Sequence, residues 1–453
     1  MGALASISGN DAVLRFGRYA LHARQRQVLD GAEPLRIGGR AMDILQVLLE
    51  HPGTVVDKHT LLARIWPDSV VEEINLRVHI AALRRALGDG FIVNVPGQGY
   101  RFVAPVQREA QVAAHNLPAR LTRLIGRDDE LAALDLLLAQ RRLVTLSGPV
   151  GVGKSVLALE AAQGQMKRWR DGVWLIDFAQ AQCPREAVTQ LLREQGLDPC
   201  DECPLGGLPG YLLERQSLLV LDHCEALPQG SRRLAEALLA LAPGVTILAV
   251  SREPLRIRGE TLLPVVPLAV PPSGEGHSVE QFMSYAAVRL FVTCAQARQA
   301  DFRLRPQDLK PLWEICRQLD GLPLALELAA AQIDVLALVG LRAQLNQGLQ
   351  VLNRGRRTAQ ARHQSLQAAL DWSFQRLPAI EQQVLRRLAQ LPRSFALEQA
   401  VAHVAADGIG PLHAVRAVQQ LAAKSLLAVH YEPLAYRVLN STRWYVRQAP
   451  QSL

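Results

Sequence analysis

The sequence predicts a multidomain α/β protein: an N-terminal winged helix, a P-loop parallel α/β sheet domain, a helical lid domain and a C-terminal winged-helix-like domain. Three observations carry that expectation. A chain of 453 residues is too long for one ordinary core. Its first hundred residues run from short apolar segments through three helical stretches to a glycine-tipped hairpin. Its middle places Gly148-Pro-Val-Gly-Val-Gly-Lys-Ser155 between an apolar strand and a helical run.

Composition narrows the class. Hydrophobic residues at 49% and charged residues at 20% describe a globular chain and exclude a disordered one. A formal charge of +8 permits nucleic-acid binding without requiring it. The first residues, MGALASISGNDAV, lack the basic start and apolar core of a signal peptide. No apolar run reaches the roughly 18 residues of a membrane span; the best, Gly321 to Leu341, carries Glu327 and Asp334. A cytoplasmic protein with no membrane partner is expected. Six cysteines suit a reducing compartment. Cys200 and Cys203 form a C-x-x-C in a Pro/Gly/acid-rich loop, and without a second pair they read as an inert loop rather than a metal or redox site.

Residues 13 to 37 alternate apolar runs with Gly and charged turns, the pattern of a small antiparallel sheet. Helices are expected over Arg40 to Glu50, Lys58 to Trp66 and about Glu72 to Leu87. In the third, Leu76, Ile80, Leu83 and Leu87 recur at helical spacing and face the core. Arg77, Arg84 and Arg85 then project from the flank and the opposite face, with small Ala81 between them. Such arginines contact phosphates or guanine edges, or form a solvated basic face. Phe91 to Val95, Pro-Gly-Gln-Gly, then Tyr100 to Val103 is a hairpin, and helix-turn-helix plus hairpin is a winged helix. Residues 13 to 106 resemble the OmpR-type winged helix-turn-helix family through HPGTVV, LLARIW, VHIAALRRALGD and VPGQGYRF. The resemblance implies that the helix bearing Arg77, His79, Arg84 and Arg85 enters the major groove of double-stranded promoter DNA. It implies that the wing near Arg101 touches the minor groove or backbone.

In the middle, Leu143 to Ser147 is a strand, and Gly148, Gly151 and Gly153 let successive N–H groups converge on phosphate oxygens. Lys154 brings charge to the β/γ-phosphates and Ser155 a hydroxyl to Mg2+. Ser217 to Asp222 is an apolar strand ending in a carboxylate, which makes Asp222 the candidate for magnesium coordination, usually through water. Glu225 either polarises an attacking water or starts a helix as an acid near the macrodipole. Thr246 to Val250 leads to Arg252, which either senses a terminal phosphate or forms a surface ion pair. Strands near 143, 173, 218 and 246 with helices between them give a parallel sheet.

NLPARLTRLIGRDDEL, GPVGVGKS, LLVLDHCEAL, ILAVSREPLRIRGE and GLPLALELAAA resemble the NB-ARC-type STAND ATPases of bacterial regulators. That resemblance implies ATP/ADP and Mg2+ as cofactors, with Ile125 and Arg127 against the base, Arg252 on the terminal phosphate and Pro323 on the adenine. The chain departs from the family at His223, where Asn or Asp is common, and at Val150, where Gly is usual; both bear on hydrolysis. Helices dominate from Ser278, including one run from Leu366 to Leu391, before a hairpin of LLAVHY and YRVLN. RHQSLQAALDWSFQRLP resembles the family's internal winged helix, which closes over the nucleotide in the resting state. The family's acid in the last hairpin is not evident at Asn440-Ser441. No period of about 34 residues is present, so a sensor is expected elsewhere or on a partner.

The expected domains are 1–106, a linker over 107–120, then 121–270, 271–361 and 362–453. The expected function is transcription regulation in which an ATP/ADP switch, with slow hydrolysis, controls homo-oligomer assembly and promoter binding. RNA polymerase is a candidate partner. The alternatives are a DNA-targeted ATPase doing mechanical work and a nucleotide-inert scaffold carrying a DNA reader.

Overall fold

The computed structural model describes residues 12–22, 26–31, 33–66, 71–110, 114–119, 123–194, 207–352, 365–392, 394–406, 408–431 and 434–448. The chain falls into two compact units, Met1–Val112 and Ala113–Leu453. The Cys200/Cys203 loop lies outside the described residues.

The first unit begins with β1 (Ala12–Phe16), β2 (Tyr19–His22), β3 (Gln27–Asp30) and β4 (Glu33–Leu35). Then come α1 (Gly39–Glu50), β5 (Val55–Asp57), α2 (Lys58–Ile65) and α3 (Glu73–Leu87). The wing is β6 (Ile92–Val95) and β7 (Gly99–Phe102), followed by β8 (Val106–Ala110). The Asp57 carboxylate accepts the Thr60 N–H at 2.8 Å and so caps α2. Leu76, Ile80, Leu83 and Leu87 of α3 are all buried in one core with Ile44, Leu45 and Leu48 of α1. Phe16 meets Phe91 and Phe102 edge-on beside it, at 5.7 and 5.2 Å between ring centroids. β7 lies between β5 and β6, which makes a winged helix.

β8 corrects the linker that the sequence suggested over its residues. Val106 to Ala110 pair antiparallel with β1 and complete a sheet in the order β4-β3-β2-β1-β8. A mostly polar segment gives no apolar run, so only the partner strand reveals it.

The second unit opens with α4 (Asp128–Gln140), β9 (Leu143–Ser147), α5 (Lys154–Gly164) and β10 (Val173–Asp177). It continues with α6 (Pro184–Glu194), α7 (Leu208–Leu212), β11 (Leu218–Asp222), α8 (Pro228–Leu241), β12 (Thr246–Val250) and β13 (Thr261–Pro264). The five strands form a parallel sheet, β10-β11-β12-β9-β13. Alternate residues serve its two faces: Leu218 and Val220 join one core, Leu219 and Leu221 the other. Burial on both faces explains why β11 is apolar until Asp222. The edge strand β13 escaped sequence reading because it alternates half-buried and exposed positions.

Helices follow: α9 (Val279–Met283), α10 (Ala286–Arg298), α11 (Leu309–Gln318), α12 (Pro323–Ala330) and α13 (Ile333–Gln347). The apolar run read as the best membrane candidate is the pair α12 and α13, bent by 118°. Among the described residues no single helix is long and apolar enough to cross a membrane. The chain then forms α14 (Leu366–Phe374), α15 (Ala379–Leu388), α16 (Leu397–Ala405) and α17 (Pro411–Ala423). It finishes with the hairpin β14 (Leu427–Tyr431) and β15 (Leu434–Val438), then α18 (Asn440–Gln448). The expected single run from Leu366 to Leu391 is two helices, because Pro378 has no N–H to continue the ladder and instead starts α15. Val144, Phe291, Leu312, Leu370, Val384 and Leu421 share one core, which joins the sheet to the C-terminal helices.

Candidate nucleotide site and DNA-facing helix

β9 runs into the glycine loop, and α5 starts at Lys154. Gly148 has a φ of 154°, and a Cβ there would stand 2.5 Å from the Val265 carbonyl oxygen, so neither the backbone nor the space admits another residue. Gly151 and Gly153 also have positive φ. The Lys154 ammonium donates to the carbonyls of Gly148 at 2.8 Å and Pro149 at 3.0 Å. Burial lowers its pKa to about 8, against the opposing pull of Glu225 and Asp222.

The Ser155 hydroxyl donates to Asp222 Oδ1 at 2.9 Å, so the end of β11 meets the start of α5. Burial raises the Asp222 pKa, with His223 and Ser155 pulling the other way. Asp222 Oδ1 also accepts the His223 N–H at 2.8 Å. His223 has a left-handed backbone, and its Nδ1 lies 2.7 Å from Asp177 Oδ1 at the end of β10. The residue that departs from the family pattern therefore adds a link between two strand ends.

A cavity of about 600 Å³ opens here, and Ile125, Arg127, Gly151, Gly153, Lys154, Ser155, Glu225, Arg252 and Pro323 all line it. Of the residues expected at a nucleotide, Gly148 and Asp222 are not on its wall. Arg127 is buried; it donates to the Val152 carbonyl at 3.0 Å and pairs with Glu130 at 2.5 Å, fastening the leader to the glycine loop. Pro323 begins α12, where the Leu324 N–H donates to the Gly151 carbonyl at 3.1 Å.

Arg252 is only 5% exposed, which removes the surface ion pair as its explanation. Its guanidinium stacks 5.2 Å from the Trp372 ring centroid and donates to the Ser373 hydroxyl. Its Nε stands 3.6 Å from Glu225 Oε1. The Ser425 hydroxyl donates to the Arg252 carbonyl at 2.9 Å. Burial lowers the Arg252 pKa, while Glu225 opposes that shift. Glu225 sits in a short 3-10 turn, Cys224–Ala226, ahead of α8, so it is not the starting acid of that helix. Trp372, also on the cavity wall, and Ser373 were not singled out from sequence. Nothing in DWSF signals a partner more than a hundred residues upstream.

On the first unit, Arg77 and Arg85 of α3 are exposed, Arg77 standing 3.7 Å from Glu73. Arg84 differs from the expectation of an outward-reaching arginine. Its Nε and Nη2 both donate to the Ile92 carbonyl, at 3.0 and 2.9 Å, so it fastens the wing to α3. His79 is half-buried with its ring 5.7 Å from that of Trp66. Arg101 is half-buried on β7, the central strand of the wing sheet.

Residues 32–102 match the family "Transcriptional regulatory protein, C terminal". An uncharacterized Mycobacterium tuberculosis protein, Rv0894, is 33% identical over 337 residues, which cover 73% of this chain and 82% of that protein. Rv0890c of the same organism, provisionally named an HTH-type transcriptional regulator, is 33% identical over 312 residues, 68% of this chain but 34% of its own length. A solved Walker-type ATPase of Pyrococcus abyssi is 17% identical and aligns with 73% of this chain and 99% of its own, at a TM-score of 0.47. The chain belongs to the same family as Rv0894, and it is a DNA-binding transcription regulator that joins a winged helix-turn-helix of the transcriptional-regulator C-terminal type to a P-loop α/β domain.

Proposed function

We propose that ATP or ADP, with Mg2+, occupies the cavity of the second unit and sets both self-assembly and promoter binding. The observation that carries this reading is the engagement of Arg252, which lines the cavity with Lys154, by Trp372 and Ser373. One guanidinium there serves either the C-terminal helices or a terminal phosphate.

The residues present fit a magnesium nucleotide. Ser155 and Asp222 already meet and would hold the cation. Lys154 and the glycine-loop N–H groups would hold the phosphates, Ile125, Arg127 and Pro323 the base, and Arg252 the terminal phosphate. The bound group would supply concentrated negative charge and a divalent cation to a cradle lined by buried cations. In the structure Lys154 spends its protons on its own loop, and it has to turn from those carbonyls to meet phosphate. Arg252 likewise has to leave Ser373, which loosens α14 from the sheet. Glu225 faces Arg252 in this state, so slow hydrolysis is expected until that pair separates.

Released C-terminal helices would expose surfaces for a second copy, and an oligomer would align several winged helices on repeated sites, raising affinity through effective concentration. The test is Lys154→Ala in the full chain. It should abolish nucleotide-dependent growth in particle mass while nucleotide-free DNA binding persists. Unchanged assembly in that variant overturns the switch.

A further inference from the structure

We infer that Ile74 and Val78 select thymine methyl groups in the operator, a refinement that rests on the DNA-binding reading above. Successive residues on a helix turn by about 100°. On α3 the buried stripe Leu76, Ile80, Leu83 and Leu87 therefore has an opposite face made of Ile74, Val78, Ala81 and Arg85. All four are exposed, Ile74 by 63% and Val78 by 56%. A solvated basic face would carry lysine, glutamate or glutamine at these positions. β-Branched residues there neither favour the helix nor fill a core.

The chemistry of the face names its occupant. Ile74 and Val78 offer methyl groups and no hydrogen-bonding atom, while exposed Arg77 and Arg85 flank them with charge. An apolar protein groove would have to bury those guanidinium groups. A DNA major groove meets both demands, because phosphates and guanine edges take arginine and the thymine C5-methyl takes an aliphatic side chain. Ala81 keeps the middle of the face low enough for base edges to approach. Glu73, the acid at the start of α3, is occupied by Lys58 at 2.9 Å, and that pairing holds its carboxylate below the usual range. Arg84 is held on the wing, which leaves discrimination to the outward face.

The test starts by selecting binding sites for the full chain from a random-sequence duplex pool. Each enriched thymine is then replaced singly by deoxyuridine, which removes only the methyl group. The unaltered chain should bind about fourfold more weakly for each contacted methyl lost, the factor that burying one such group supplies. Ile74→Ser with Val78→Ser should bind the thymine and deoxyuridine duplexes equally. Equal affinity of the unaltered chain for both at every enriched position overturns the inference, as does discrimination that survives in the double variant. A pool that shows no enrichment defeats the DNA-binding reading itself, a different result from enrichment indifferent to the methyl.

Discussion

Lys154 combines a half-buried position with a pKa lowered to about 8, and this fixes the sign of two effects. Between about 8 and the ordinary 10.5, the unfolded chain holds a proton that the folded chain has released, so this group's contribution to stability rises with pH across that window. A phosphate beside the ammonium would restore the proton. Nucleotide binding at pH 9 is therefore predicted to take up close to one proton, measured by calorimetry in buffers of different ionisation enthalpy. Binding with no proton uptake would contradict the placement of phosphate at Lys154. Arg252 yields a second prediction. Trp372→Ala removes a desolvated cation–π contact worth up to about 2 kcal/mol and frees the guanidinium for a terminal phosphate. The affinity ratio of a non-hydrolysable ATP analogue to ADP should rise, and an unchanged ratio would separate Arg252 from phosphate sensing. Motif and strand-end position singled out Lys154, Ser155, Asp222 and Arg252 in the sequence. It could not supply the partner of Arg252 or of Arg84, because a motif fixes a position in the chain and not which distant atom a long side chain reaches.

At the scale of elements, the wing depends on a close approach that a side chain would block. A Cβ on Gly99 would stand 2.1 Å from the Val56 carbonyl oxygen, where β5 pairs with β7. Gly99→Ala should destabilise the first unit by roughly 2–3 kcal/mol, read as a lower midpoint for its thermal transition. An unaltered midpoint would show that this pairing carries little of the unit's stability. The C-terminal hairpin has a comparable anchor. Asp320, just ahead of the loop leading to Pro323, accepts the Asn440 backbone N–H at 2.6 Å and side-chain amide at 3.0 Å, and Arg437 stands 3.4 Å away. Where the family's acid is not evident, Asn440 thus ties the start of α18 to the approach to α12. Asp320→Ala should speed proteolysis within 434–448, and unchanged cleavage would make the anchor dispensable. The long apolar strands and the α3 stripe were legible because burial on a fixed face writes a period into the sequence. β8 and β13 were not, since short edge strands are defined by their neighbours rather than by their own composition.

For the whole molecule, the sequence displayed the order of parts, with a winged helix ahead of a P-loop sheet and helices after it. It did not display how closely the later parts are joined. One core runs from Val144 in the sheet to Leu421 in the C-terminal helices, so a change at the cavity has packed side chains through which to act. The proposed switch makes that joining the controlled quantity, with Arg252 as its point of choice. Its most direct test is the affinity of the full chain for a selected operator duplex, together with particle mass, in the absence of nucleotide, with ADP and with a non-hydrolysable ATP analogue. The account predicts that the ATP analogue alone raises both mass and affinity, and that Lys154→Ala removes the difference between the three states. Equal affinity and equal mass in all three states of the unaltered chain would contradict it.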